Sequence, residues 1–124
     1  MPLDWAGTFD MVFLCDALHD LPNPHKGLDE MYKVLKDDGI LSVMEIGFHS
    51  DPLQNAGSLP AAMFYTMGMF ICLSSSLCAP PHVGYGAMWG MEEIEKTLES
   101  QKFKVSMKER LPPKVCYLCT KIIN

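Results

Sequence analysis

The chain has 124 residues, 48% of them hydrophobic, with ten basic against fifteen acidic side chains and a net charge of −5. That length holds one small domain or part of a larger one, and the apolar content excludes a disordered segment. The acidic balance, without a basic patch, argues against nucleic-acid binding through phosphate neutralisation.

The first element is Met11-Val12-Phe13-Leu14-Cys15, a continuous apolar run. Such a run suits a strand covered on both faces. A polar cluster follows it: Asp16, His19 and Asp20. A helix comes next, with Asn23 as N-cap and Pro24 at its first position. Leu28, Met31 and Leu35, with Tyr32, give that helix one apolar stripe. Gly39 is expected to supply a left-handed stop. Ile40 to Met44 reads as a second buried strand, ended by Glu45. Residues 9–47 therefore form one βαβ unit, which implies a right-handed crossover and an α/β fold. Ligands in open parallel sheets sit beyond the carboxyl ends of the strands, where Asp16 and His19 lie.

From Pro52 to Met91 the chain carries no Asp, Glu, Lys or Arg. The centre of this insert, residues 52–90, is the run AAMFYTMGMFICL from Ala61 to Leu73. A membrane span is the alternative to a buried or pocket-lining helix. The run falls short of the ~20 residues a span needs, Ser74-Ser75-Ser76 interrupts it and no basic flank anchors it. The buried or pocket-lining helix is expected, ended by Pro80-Pro81. Residues 91–123 give a second amphipathic helix with Met91, Ile94 and Leu98 inward. An alternating strand from Phe103, a turn at Pro112-Pro113 and a last strand from Val115 to Ile123 then form an antiparallel hairpin.

The five cysteines lie in apolar segments, and no secretory start precedes them. An odd count of that kind indicates reduced thiols and a cytoplasmic setting. Cys116 and Cys119 spell CxxC, but three residues apart in a strand they face opposite ways. His25, His49 and His82 show no metal-ligand spacing, so no metal site is expected.

In order and motif the chain resembles the C-terminal half of a class I S-adenosylmethionine-dependent methyltransferase domain. FDMVFLCDALHDLPNP is similar to that family's fourth strand and following loop. KGLDEMYKVLKDDGILSVME is similar to its next helix and fifth strand. The D-A-L-H-D motif and the uncharged insert after strand five resemble the subgroup with an N-terminal winged-helix domain. The resemblance implies a partial Rossmann-like sheet of strands 4-5-7-6 with flanking helices, S-adenosyl-L-methionine as cofactor and a small apolar or aromatic methyl acceptor. The family's glycine-rich cofactor loop and ribose-binding acid would lie before Met1. Self-association, or pairing with an N-terminal half, is expected, through the open strand edge from Met11 to Cys15, the charge-free insert helix, or both.

The same resemblance assigns candidate roles. His19 corresponds to the histidine that serves as general base in small-molecule O-methyltransferases; the alternative is a histidine that caps its loop. Cys15 and Asp16 would run along the methionine part of the cofactor, unless Asp16 only caps a turn. Glu45 would face the substrate or anchor the next loop. Met63, Phe64, Met67 and Trp89 would line an acceptor site, or belong to a core or subunit interface. Three readings stand: a methyltransferase, a catalytically incompetent half acting as an interaction module, and a membrane-associated protein using residues 61–73.

Overall fold

The computed structural model describes residues 3–124. Strand β1 (Phe9–Cys15) leads through helix α1 (Pro24–Val34) into β2 (Leu35–Ile46), and the two strands pair in parallel. The Asn23 side chain accepts the Lys26 N–H at 3.0 Å, and Pro24 fills the first helical position, so this helix start is the expected one. Leu28 and Met31 are buried on α1, while Leu35, expected on the same helical stripe, is buried as the first residue of β2.

The helix stops a turn before Gly39. Leu35 is already extended, at φ −69° and ψ 142°, and it pairs with Phe9. The register then shifts: Met11 pairs with Ile40, so Lys36 to Gly39 bulge out of the ladder. Gly39 is not a left-handed stop. Its role is close approach, since a Cβ there would lie 2.9 Å from Leu35 Cδ2 and 3.1 Å from the Phe9 carbonyl oxygen.

Helix α4 (Met91–Ser100) returns over the sheet, followed by β3 (Phe103–Leu111) and β4 (Lys114–Lys121). The strand order is β1-β2-β4-β3, with β4 antiparallel to both neighbours. That is the 4-5-7-6 arrangement expected from the sequence. Leu41 and Val43 of β2, Val115 and Tyr117 of β4, and Ile94 and Leu98 of α4 form one core with α1. Each such side chain contributes about 1.5–3 kcal/mol by leaving water.

The opposite sheet face differs from expectation. Val12 and Leu14 pack on the core, but Met11 and Phe13 are 53% and 55% exposed. The apolar run of β1 is therefore covered on one face only, because α1 and α4 share the other side of the sheet.

The insert also departs from the sequence reading. Helix α2 (Leu59–Met67), a π-helical segment Gly68–Cys72 and α3 (Leu73–Ser76) make one continuous 18-residue helix. The serines do not interrupt it. Ser74 Oγ donates to the Phe70 carbonyl at 3.4 Å and Ser76 Oγ to the Leu21 carbonyl at 3.2 Å, so their hydroxyls are satisfied within a helix. Of the two expected placements it is the pocket-lining one and not the buried one, since Tyr65, Thr66, Met69 and Leu73 line a cavity. Only 17% of it is buried, and at a mean hydropathy of 1.3 it is long and apolar enough to cross a membrane by length and composition. Ala61, Gly68 and Ser76 are its buried points. These residues are small, so the bulky side chains point outward.

Candidate functional site

Beyond β1 the chain makes a short 3-10 turn, Leu18–Asp20, and Glu45 near the end of β2 reaches across to it. Glu45 Oε1 accepts the backbone N–H groups of Leu18 at 2.9 Å and His19 at 3.3 Å, and its Oε2 is hydrogen-bonded to His19 Nδ1. Both side chains are shut from solvent, with His19 3% and Glu45 1% exposed. A carboxylate bound to Nδ1–H fixes the tautomer and leaves the lone pair on Nε2. Burial pushes the imidazole pKa down, but the Glu45 hydrogen bond and charge, with Asp20 and Asp16, outweigh it and hold His19 above its ordinary value. Glu45 thus anchors the loop and orients the histidine at once.

The Nε2 side of the ring faces Asp20 Oδ1 at 3.3 Å. That oxygen is buried and takes no aligned hydrogen bond. Cys72, at the end of the π segment, completes the group: its Sγ lies with His19 and Asp20 ligand atoms all within 4.8 Å of one another. Burial raises the Cys72 thiol, and the Asp20 charge and a hydrogen bond from the thiol to Asp20 add to this. Cys72 was not legible as a site residue, since only tertiary packing brings it to the turn.

Asp16 carries the other polar feature. It sits at φ 48°, a left-handed conformation uncommon outside glycine. Its N–H donates to the Met44 carbonyl at 2.9 Å, and its Oδ2 pairs with Lys114 of β4. Its Oδ1 is buried without a hydrogen-bond partner among the described residues. Asp16 thus places a left-handed backbone and a buried acceptor at the carboxyl end of β1. Cys15, beside it, is exposed, with Sγ 4.0 Å from Met44 Sδ.

A cavity of about 510 Å³ opens between the insert helix and the loop Gly84 to Met88, walled by Tyr65, Met69, Leu73 and Tyr85 among others. His19, Asp20 and Glu45 are not in its wall. The residues singled out in the sequence stand around it unequally. Met63 and Met67 are 57% and 50% exposed on the solvent side, and Phe64 packs against Phe48 with ring centroids 5.7 Å apart. Trp89 is buried and stacks on Tyr85 at 4.2 Å, so it backs the wall rather than forming it. Tyr85 is also held by His25, Nε2 to hydroxyl 3.0 Å. Cys116 and Cys119 do fall on opposite faces of β4, and burial pushes the Cys119 thiol up to about 12.

A family model described as a methyltransferase domain matches residues 1–43. A putative O-methyltransferase from Nostoc punctiforme superposes with a TM-score of 0.67 at 18% identity, over 95% of this chain and 33% of that one. The fold is that of a class I methyltransferase domain. A SAM-dependent methyltransferase from Aquifex aeolicus gives 0.61 at 17% identity, over 98% of this chain and 50% of that one. The trans-methyltransferase CalH, solved in complex with SAH, gives 0.59 at 16% identity, over 94% and 31%. The methyltransferase fold seen here thus spans between about a third and a half of the length of these solved structures. No curated protein matches the chain in sequence.

Proposed function

We propose that this chain is the acceptor-side part of an S-adenosylmethionine-dependent methyltransferase, with His19 as general base toward a small apolar or aromatic acceptor. The observation that carries this reading is the buried Glu45–His19 pair beyond the end of β1. When bound, S-adenosylmethionine supplies an electrophilic methyl group on a sulfonium.

The chain's own residues account for the rest. Asp16 and Cys15 would run along the methionine part of the cofactor, a role supported by the buried Asp16 Oδ1, an acceptor suited to an ammonium group. Glu45 holds His19 Nδ1–H, so Nε2 takes the proton of an acceptor hydroxyl or amine. Tyr65, Met69 and Tyr85 wall a cavity that His19 does not line, so they would hold an apolar part of the acceptor away from its reacting group, with Trp89 stiffening Tyr85 from behind. The D-A-L-H-D motif and the charge-free insert favour the winged-helix subgroup, and five free thiols favour the cytoplasm.

In the full-length protein, His19→Ala should lower methyl transfer at least about 100-fold while leaving cofactor affinity within about twofold. Unchanged turnover with weakened cofactor binding would move His19 from base to cofactor contact. A second reading, an interaction module without turnover, is favoured by the uncovered Leu59–Ser76 helix. It is supported if the full-length protein binds no S-adenosylmethionine by calorimetry.

A further inference from the structure

We propose that His19 Nε2, Asp20 Oδ1 and Cys72 Sγ form a three-ligand site for a divalent ion of the zinc class. The inference goes beyond methyl transfer and does not depend on it. It rests on four features of the cluster.

First, the donor set is one imidazole nitrogen, one carboxylate oxygen and one sulfur. Hard ions such as magnesium and calcium select oxygen, whereas zinc accepts all three donor types. Second, the spacing fits. Ligand atoms around a tetrahedral zinc, with bonds of ~2.0–2.3 Å, stand roughly 3.3–3.8 Å apart. His19 Nε2 and Asp20 Oδ1 are already 3.3 Å apart, and all three ligand atoms lie within 4.8 Å. Closing on an ion therefore needs a contraction of no more than about 1 Å between any two of them.

Third, the donor atoms already face one another. The Glu45 bond turns His19 Nε2 toward Asp20 Oδ1, 3.3 Å away, and that oxygen is buried with no aligned hydrogen bond among the described residues. A cation between the two takes the place of the proton they would otherwise share. Fourth, the support that metal-binding histidines have is in place. Glu45 is a carboxylate on the far ring nitrogen, itself pinned by two backbone amides. The thiol comes from a π-helical segment, a local irregularity that often accompanies functional sites.

On binding, the Cys72 S–H bond breaks, the sulfur lone pair goes to the ion and the proton leaves to solvent. His19 binds as the neutral imidazole, with any Nε2 proton leaving to solvent too, and Asp20 binds as carboxylate. Three protein ligands leave a fourth coordination position open. An ion here occupies the lone pair that would otherwise take a proton, so occupancy and base chemistry at His19 exclude each other.

The test uses the chelator-stripped chain and cobalt(II) as a spectroscopic probe. One equivalent should produce a near-ultraviolet thiolate-to-cobalt charge-transfer band, and zinc should displace it stoichiometrically. Cys72→Ser should abolish the band, and Cys78→Ser, outside the cluster, should keep it. Asp20→Asn should keep the band but weaken zinc binding at least about tenfold, and Glu45→Gln should weaken it about 10–100-fold. Far-ultraviolet circular dichroism of each variant separates lost ligands from lost fold. No band, a band surviving Cys72→Ser, or a band lost in Cys78→Ser overturns the site. Unchanged zinc affinity in a folded Asp20→Asn chain overturns it as well, even if Cys72→Ser fails to fold. Methyl transfer is not measured, so failure here leaves the proposed function standing.

Discussion

Replacing Glu45 tests how one carboxylate joins two strands' ends. In Glu45→Ala, the Leu18 and His19 backbone N–H groups and the His19 Nδ1 site lose their acceptor together. Each buried donor left unpaired costs about 1–3 kcal/mol. Water entering the vacated space recovers part of this, so a loss of about 3–5 kcal/mol is expected, the range for breaking a buried pair. Against a total stability of roughly 5–15 kcal/mol, that is a large share. Glu45→Gln is the informative partner. Its carbonyl oxygen still serves the two amides, while its amide N–H can meet Nδ1 only if the histidine moves its proton to Nε2. Gln should therefore cost about 1–2 kcal/mol in urea unfolding, and should also invert the His19 tautomer, read from the imidazole nitrogen shifts by NMR. The reasoning fails if Ala lies within about 1 kcal/mol of the parent, or if Gln keeps the parent tautomer.

Other outcomes follow from separate parts of the molecule. Gly90 has φ +95° and a Cβ there would lie 2.3 Å from Ser50 Cα, so Gly90→Ala should cost several kcal/mol (roughly 3 or more) in thermal unfolding. Burial pushes Glu92 up, but the His49 hydrogen bond and the Ser50 amide overrule it and bring its pKa down to about 2. A carboxyl depressed on folding adds stability above its unfolded value near 4.5, lost as pH falls from there toward about 2. Because the Glu92 side chain is 45% exposed, the loss should be only about 1 kcal/mol, and Glu92→Gln should flatten that part of the stability–pH curve. Met69, Phe70 and Ile71 are 59%, 71% and 61% exposed on the insert helix, so the chain should self-associate at low micromolar concentration. Phe70→Lys should shift sedimentation toward monomer; equal association in both would place the contact elsewhere, with the β1 edge next in line.

The elements were legible where periodicity and caps agreed. Asn23-Pro24 marked α1, Met91, Ile94 and Leu98 marked α4, and the alternation from Phe103 marked β3. What misled was chemistry that two different structures share. Gly39 looks like a helix stop because glycine serves both left-handed caps and crowded backbones, and only the Phe9–Leu35 pairing decides between them. The run from Ala61 to Leu73 looks buried because it is apolar. Yet α2 has almost no apolar asymmetry, so nothing in its pattern says which side packs, and its small residues carry the contact. His19 and Glu45 were named from the sequence as separate candidates, but their mutual bond is a tertiary fact. Cys72 and Lys114 carried no signal at all, because each reaches the site across a long chain separation.

The end of β1 is held by the part of the chain furthest from it. The hairpin turn at Pro113 docks on β2, where the Gly47 N–H donates to the Pro113 carbonyl at 2.8 Å. A Cβ at Gly47 would meet the Lys114 carbonyl carbon at 2.8 Å, so a glycine is what lets the turn approach. That approach carries Lys114 to Asp16 and gives the strained residue a counter-charge. A left-handed aspartate costs about 1–3 kcal/mol, and it persists only when its surroundings over-determine it. Here a backbone bond to Met44 and an ion pair to Lys114 do so from two strands. The antiparallel return of the chain thus does more than extend the sheet, because it fixes the polar end of β1 from across β2. Lys114→Met should therefore release Asp16 from this conformation while sparing the buried Glu45–His19 pair. Backbone amide shifts at Asp16 that stay unchanged in the variant would show that the strain is held by the Met44 bond alone.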